Sequence, residues 1–281
     1  MTRMDEPTSN GDPIEIGGAE PSPWPGEIPF ARPVCVETTL VPPAGDTWPP
    51  TMSRLRALIE LLILIPAAIL GLVAVAVPLI IIKPADTRWY NVFSSVGMGC
   101  GALSACIVMM LISRQKPASI GWTSRNLGIN VGLGVAAMIA TYAGRLVILV
   151  PLSLIFPQIL DQAETAQNAI EEAFPPMTFL WIVLMMTFVV TWEEVVFRGF
   201  LLTRLQVVFR RWWLTVTTGS LVFGVIHGYQ GILAMALITG LALVMSLLFV
   251  WRRSLVPSMV VHWMNNVGVV LVLEALSSTW R

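Results

Sequence analysis

Charge is scarce in this chain of 281 residues: only 12% are Asp, Glu, Lys or Arg, against 56% hydrophobic. An average soluble domain carries about 25% charge, so an ordinary water-facing surface is excluded, and a mean hydropathy of +0.75 points to lipid. The 17 basic and 17 acidic residues balance, but acids dominate the first fifty residues and many arginines sit beside apolar segments. Net charge therefore says nothing of partners; no nucleic-acid partner is expected. Cysteine is nearly absent. Cys35 lies in a polar leader, Cys100 and Cys106 lie in an apolar run, and no CxxC occurs, so neither a disulfide framework nor a structural zinc site is expected. No HExxH and no GxSxG occurs, which removes the usual zinc-protease helix and serine nucleophile elbow. No charged start, short apolar stretch and cleavage site open the sequence, so the first apolar helix is expected to direct insertion.

What is abundant is long apolar sequence. A bilayer core of about 30 Å needs about 20 apolar residues of helix. Windows that meet this run over about Ala57 to Ile82, Val92 to Ile112, Gly128 to Phe156, Met177 to Leu202, Trp213 to Gly228, Gly231 to Trp251 and Leu255 to Leu273. The expected fold is all-α, a polytopic transmembrane helical bundle of about seven spans, with eight as the alternative. Residues 1–52 are rich in Pro and acids and read as a disordered cytoplasmic tail. Residues 53–176 read as N-terminal transmembrane helices with an acidic connection, and residues 177–281 as a catalytic transmembrane core.

Basic residues collect at Arg54 and Arg56, at Arg114, Lys116 and Arg125, at Arg204, Arg210 and Arg211, and at Arg252 and Arg253. Seven spans place these on one side, which the positive-inside rule makes cytoplasmic together with the N-terminus. Lys83 and Arg88 fall on the other side. So does the stretch from Asp161 to Glu172, which has acids and no Lys or Arg and reads as a loop or a surface helix.

Polar side chains inside such helices are costly and normally face a cavity or the bundle interior. The fourth span carries Thr191-Trp192-Glu193-Glu194-Val195-Val196-Phe197-Arg198-Gly199-Phe200. Glu194 and Arg198 share an α-helical face and can pair, whereas Glu193 points about 100° away and is left for chemistry. The two histidines of the chain also fall in apolar spans: His227, one turn after Phe223, and His262, one turn before Asn266. Helix rise puts Glu193, His227 and His262 on the order of 10 to 20 Å in from the basic boundary, with the entrance expected on the cytoplasmic side.

Taken singly, each element has an ordinary reading: a headgroup-level Glu/Arg pair, or a core histidine bonded to a neighbouring helix. Three on three helices suit hydrolysis of an amide. A carboxylate in an apolar pocket is a strong base once ionised, and Glu193 with His227 can activate water. His262 and Asn266 offer N–H donors from one face, fit for an oxyanion hole. Arg198 would hold Glu194 in place. Spacing alone leaves open that Glu193, Glu194, His227 and His262 chelate a divalent metal.

The ordered set Glu193-Glu194-x-x-x-Arg198, Phe223-x-x-x-His227 and His262-x-x-x-Asn266 resembles the CPBP family of intramembrane glutamate proteases, also called the ABI or CAAX-protease family. The resemblance covers about Met177 to Leu273. It implies a metal-independent endopeptidase without cofactor, in which Glu193 and His227 activate water and His262 and Asn266 form the oxyanion site. Glu194, Arg198 and Phe223 would support them. The implied partners are the lipid bilayer and a membrane-associated peptide or protein, prenylated or lipid-anchored. A non-catalytic binding or bacteriocin-immunity protein on the same fold, and a transporter with a Glu/His proton relay, are the competing readings.

Overall fold

The structure is a computed structural model that describes residues 48–276 apart from 85 and 176, and for 271–276 the backbone alone. The tail expected over residues 1–52 lies outside it up to residue 47. Its last residues are not a loose tail. Trp48 stacks on Trp212 with ring centroids 4.8 Å apart, meets the edge of Phe249 and lies under the Arg253 guanidinium. A large aromatic beside an apolar helix end gains more by burial than a Pro-rich composition can oppose.

Among the described residues the chain is helical throughout. α1 runs Arg54–Ile82, α2 Arg88–Ile112, α3 Leu127–Ile155 and α4 Gln158–Ala173. α5 is one continuous rod, Phe179–Phe209. α6 runs Trp212–Val225, α7 Ile232–Arg252 and α8 Val256–Leu276. α1, α2, α3, α5 and α7 are each long and apolar enough to cross a membrane. The acidic stretch is α4, an amphipathic helix that leaves Asp161, Glu164 and Glu172 exposed.

Burial inverts the soluble pattern. Only 6% of the apolar window of α1 is buried, against 50% of that of α5, so α1 faces lipid and α5 forms the centre. α1 and α2 meet through glycines. A Cβ on Gly71 would clash with the Gly97 carbonyl oxygen, and one on Gly101 with that of Ala67. Without water to drive association, such close backbone approach is what packs one membrane helix on another. Gly101→Val is therefore expected to destabilise the bundle by about 1–3 kcal/mol, read from the unfolding midpoint in mild detergent. Gly240→Ala, where a Cβ meets nothing within 4 Å, should leave that midpoint in place.

A second polar cluster ties α1 to the end of α5. Arg204, counted with the loop arginines in the sequence, is fully buried. It donates from Nε to Glu60 Oε2 (3.0 Å), from Nη1 to Thr203 Oγ1 (3.0 Å) and from Nη2 to Gln115 Oε1 (2.8 Å), and its guanidinium covers Phe200. Glu60 also accepts from Arg56 Nε. A buried charge keeps its place when its partners are complete. Sequence position cannot separate such an arginine from one in a loop, because the decisive partner lies 144 residues away.

The basic connections share one end of the bundle. Leu255 N–H donates to Gly121 O, and Arg204 reaches Gln115. The acidic α4 and the turn between α6 and α7 share the other end, with Gly231 close to Thr165 and Gln162.

Candidate active site

From Glu194 to Leu202 the winding of α5 widens from α to π. A π segment adds a residue per turn and commonly marks a functional site. Glu194 and Arg198 pair four residues apart within it. Glu193 and Glu194, expected to point about 100° apart, both reach His262 of α8. His262 Nδ1 stands 2.8 Å from Glu194 Oε1 and Nε2 stands 3.5 Å from Glu193 Oε2. Arg198 Nη1 donates to the same Glu194 Oε1 at 2.9 Å. A guanidinium can only donate, so that oxygen is an acceptor, and Nδ1 of His262 carries a hydrogen toward it.

Glu194, Arg198 and His262 are all buried, and Glu193 nearly so. The Arg198 guanidinium lies 4.2 Å from the ring centre of Phe223, a cation–π contact that desolvation strengthens. Phe223 also meets Phe197 and His262 edge-on, and its ring centroid is 4.8 Å from that of His227. Phe223 is thus the floor on which three polar groups rest.

The sequence placed His227 within the fifth span up to Gly228, but α6 ends at Val225. His227 sits in the turn that follows, its Nδ1 2.7 Å from Phe223 O. A carbonyl only accepts, so Nδ1 bears the hydrogen and Nε2 keeps its lone pair. Glu193, His227, His262 and Asn266 line one cavity of about 590 Å³.

Residues 175–268 match the sequence profile of the type II CAAX prenyl endopeptidase Rce1-like family. Over this segment, about a third of the chain, the sequence is similar to that family's domain. No curated protein matches the chain, and no solved structure matches it. The matched segment begins just before α5 and contains Glu193, Glu194, Arg198, Phe223, His227, His262 and Asn266.

Two features of the cavity depart from the sequence reading. First, the cavity extends away from the basic loops. Its walls include Ser153 at the end of α3, Ile159 and Ile170 of α4, and Tyr229 in the α6–α7 turn. The cavity therefore reaches toward the end opposite the basic loops, whereas the sequence reading expected its entrance on the basic side. Helix rise measures depth from a boundary but carries no information on which way a cavity opens.

Second, Arg145 of α3 and Asn265 of α8 line the cavity and were missed. A signal for Arg145 was present: a lone arginine between Gly144 and Leu146 in an apolar span is as exceptional as Glu193. Among the described residues no group of three or more His, Cys, Asp or Glu side chains is arranged to hold a metal ion.

Proposed function

We propose that this chain is an intramembrane endopeptidase that hydrolyses a peptide bond in a membrane-associated protein or peptide, prenylated or lipid-anchored. The observation that carries the reading is His262 held between Glu193 and Glu194, beside His227 and Asn266 on one cavity wall. Glu193 is the base that takes a proton from water, and the free Nε2 of His227 shares that proton. The hydroxide adds to the carbonyl carbon. Negative charge develops on the carbonyl oxygen, which His262 Nε2–H and Asn266 Nδ2–H receive. The C–N bond then breaks as the proton passes to the leaving amine.

Arg198 and Glu194 are positioning residues in this scheme. They fix Nδ1 of His262, so its Nε2 is the end turned to the reaction. Cleavage of a quenched reporter peptide by purified protein should persist in excess chelator. Loss of cleavage on chelation, restored by a divalent metal, would overturn the metal-independent scheme.

The seven-span arrangement belongs to the same proposal, with α6 and α8 crossing beside α1, α2, α3, α5 and α7. The positive-inside rule then puts the basic end in the cytoplasm and the cavity mouth on the other face. In a variant with Cys35, Cys100 and Cys106 replaced by Ser, Glu164→Cys should react with an impermeant maleimide in intact cells. Arg210→Cys should react only after permeabilisation. The reverse pattern would invert the orientation.

A further inference from the structure

Arg145 lies well inside α3, followed by the apolar run Leu146-Val147-Ile148-Leu149-Val150. Among the described residues no carboxylate pairs with it; its acceptors are both neutral. Nη1 donates to Asn265 Oδ1 at 3.2 Å and Nη2 to Leu237 O at 3.1 Å. A guanidinium has donors and no acceptor, so it dictates that Asn265 turns its amide oxygen toward α3. The Asn265 nitrogen is thereby aimed at Asn266, whose Oδ1 accepts at 3.2 Å. With its oxygen taken, Asn266 has only its Nδ2–H groups to present to the cavity it lines.

The sense of this chain matters because a side-chain amide is nearly symmetric in shape and opposite in polarity at its two ends. An Asn266 turned over would offer Oδ1 to a developing oxyanion and repel it. A donor at the head of the row also polarises each amide in turn, which strengthens the last N–H. We propose that Arg145 and Asn265 are positioning residues that set the amide sense of Asn266 and hold its N–H toward the reacting carbonyl. This rests on the reading of Asn266 as an oxyanion donor. Arg145 lies outside the matched family segment, residues 175–268, so the head of this row is supplied by the part of the chain that precedes the segment.

The test uses the full-length protein in detergent and a quenched reporter peptide. The reporter is built around a cleavage site that separates membrane peptides of wild-type cells from those of Glu193→Gln cells. Arg145→Met should lower kcat about 10- to 100-fold with KM within about twofold, because the interaction matters only as charge develops on the carbonyl oxygen. Arg145→Lys, which still only donates, should recover most of the loss. Asn265→Asp keeps an acceptor for Arg145 but cannot donate to Asn266, so it should lose kcat while staying folded, where a merely structural role predicts no loss. In an Asn266→Ala background neither change should cost more than about a further twofold, since residues acting as a unit are not additive.

Full losses that multiply with Asn266→Ala, or no loss from Arg145→Met and Asn265→Asp in otherwise wild-type protein, would overturn the relay and leave the protease reading standing. Full activity of Asn266→Ala would overturn the oxyanion assignment itself, and the relay with it. If no cleavage site separates the two peptide sets, the protease reading falls first.

Discussion

Glu193→Gln is expected to lower kcat/KM for a cleaved peptide by on the order of 10³–10⁴ while leaving the unfolding midpoint close to that of the wild type. The side chain keeps its size, so packing beneath the cavity is preserved. What is lost is the carboxylate at the cavity wall beside His262 Nε2, the base of the proposed scheme. Glu194→Gln should behave differently. Its oxygen can still accept from His262 and Arg198, but the negative charge opposite a buried guanidinium is gone. The midpoint should therefore fall along with activity. Kinetics and thermal unfolding measured together on both variants separate the two neighbouring glutamates, which a simple count of acidic residues treats alike.

Arg198→Met should be among the most destabilising single changes in the chain, at about 3–5 kcal/mol. Arg198 is 1% exposed and Glu194 0% exposed, so no solvent is at hand to take over from the lost partner. Removing the guanidinium leaves a buried carboxylate that keeps His262 as a donor but has no cation paired with it, and strips the face of Phe223 of its cation. Much of that cost is the stranded charge rather than the worth of the pair. The double variant Arg198→Met, Glu194→Gln should accordingly lose less stability than the two single losses added together. Unfolding in detergent at fixed lipid content reads this directly. Additive losses would show that the pair is not coupled.

Helices were legible because lipid imposes one rule on every span: backbone groups must bond within the segment and side chains must be apolar. The seven windows read from the sequence correspond to α1, α2, α3, α5, α6, α7 and α8. The acidic stretch declared itself by having no Lys or Arg, and it forms α4. The residues of the candidate site were legible for the complementary reason. Glu193, Arg198 and His262 stand out where every neighbour is apolar, and the structure brings Glu193, His227, His262 and Asn266 to one cavity.

What was not legible depends on partners distant in sequence or on local winding. The π segment of α5 cannot be seen in residue spacing. Arg204 looked like a loop cation until Glu60 was found beside it. Trp48 was absorbed into a Pro-rich stretch because its partners, Trp212 and Phe249, lie far along the chain. The direction of the cavity is set by how α3, α4 and α7 lean on one another, a property of packing that no single segment carries.

The central claim, that the Glu193 cluster cuts peptides in the membrane, meets its most direct test in mass spectrometry of membrane-associated peptides. Cells producing wild-type protein are compared with cells producing Glu193→Gln at equal levels. The account predicts a defined set of new peptide ends that requires the wild-type protein and disappears in the variant. Identical peptide sets from the two strains would contradict it.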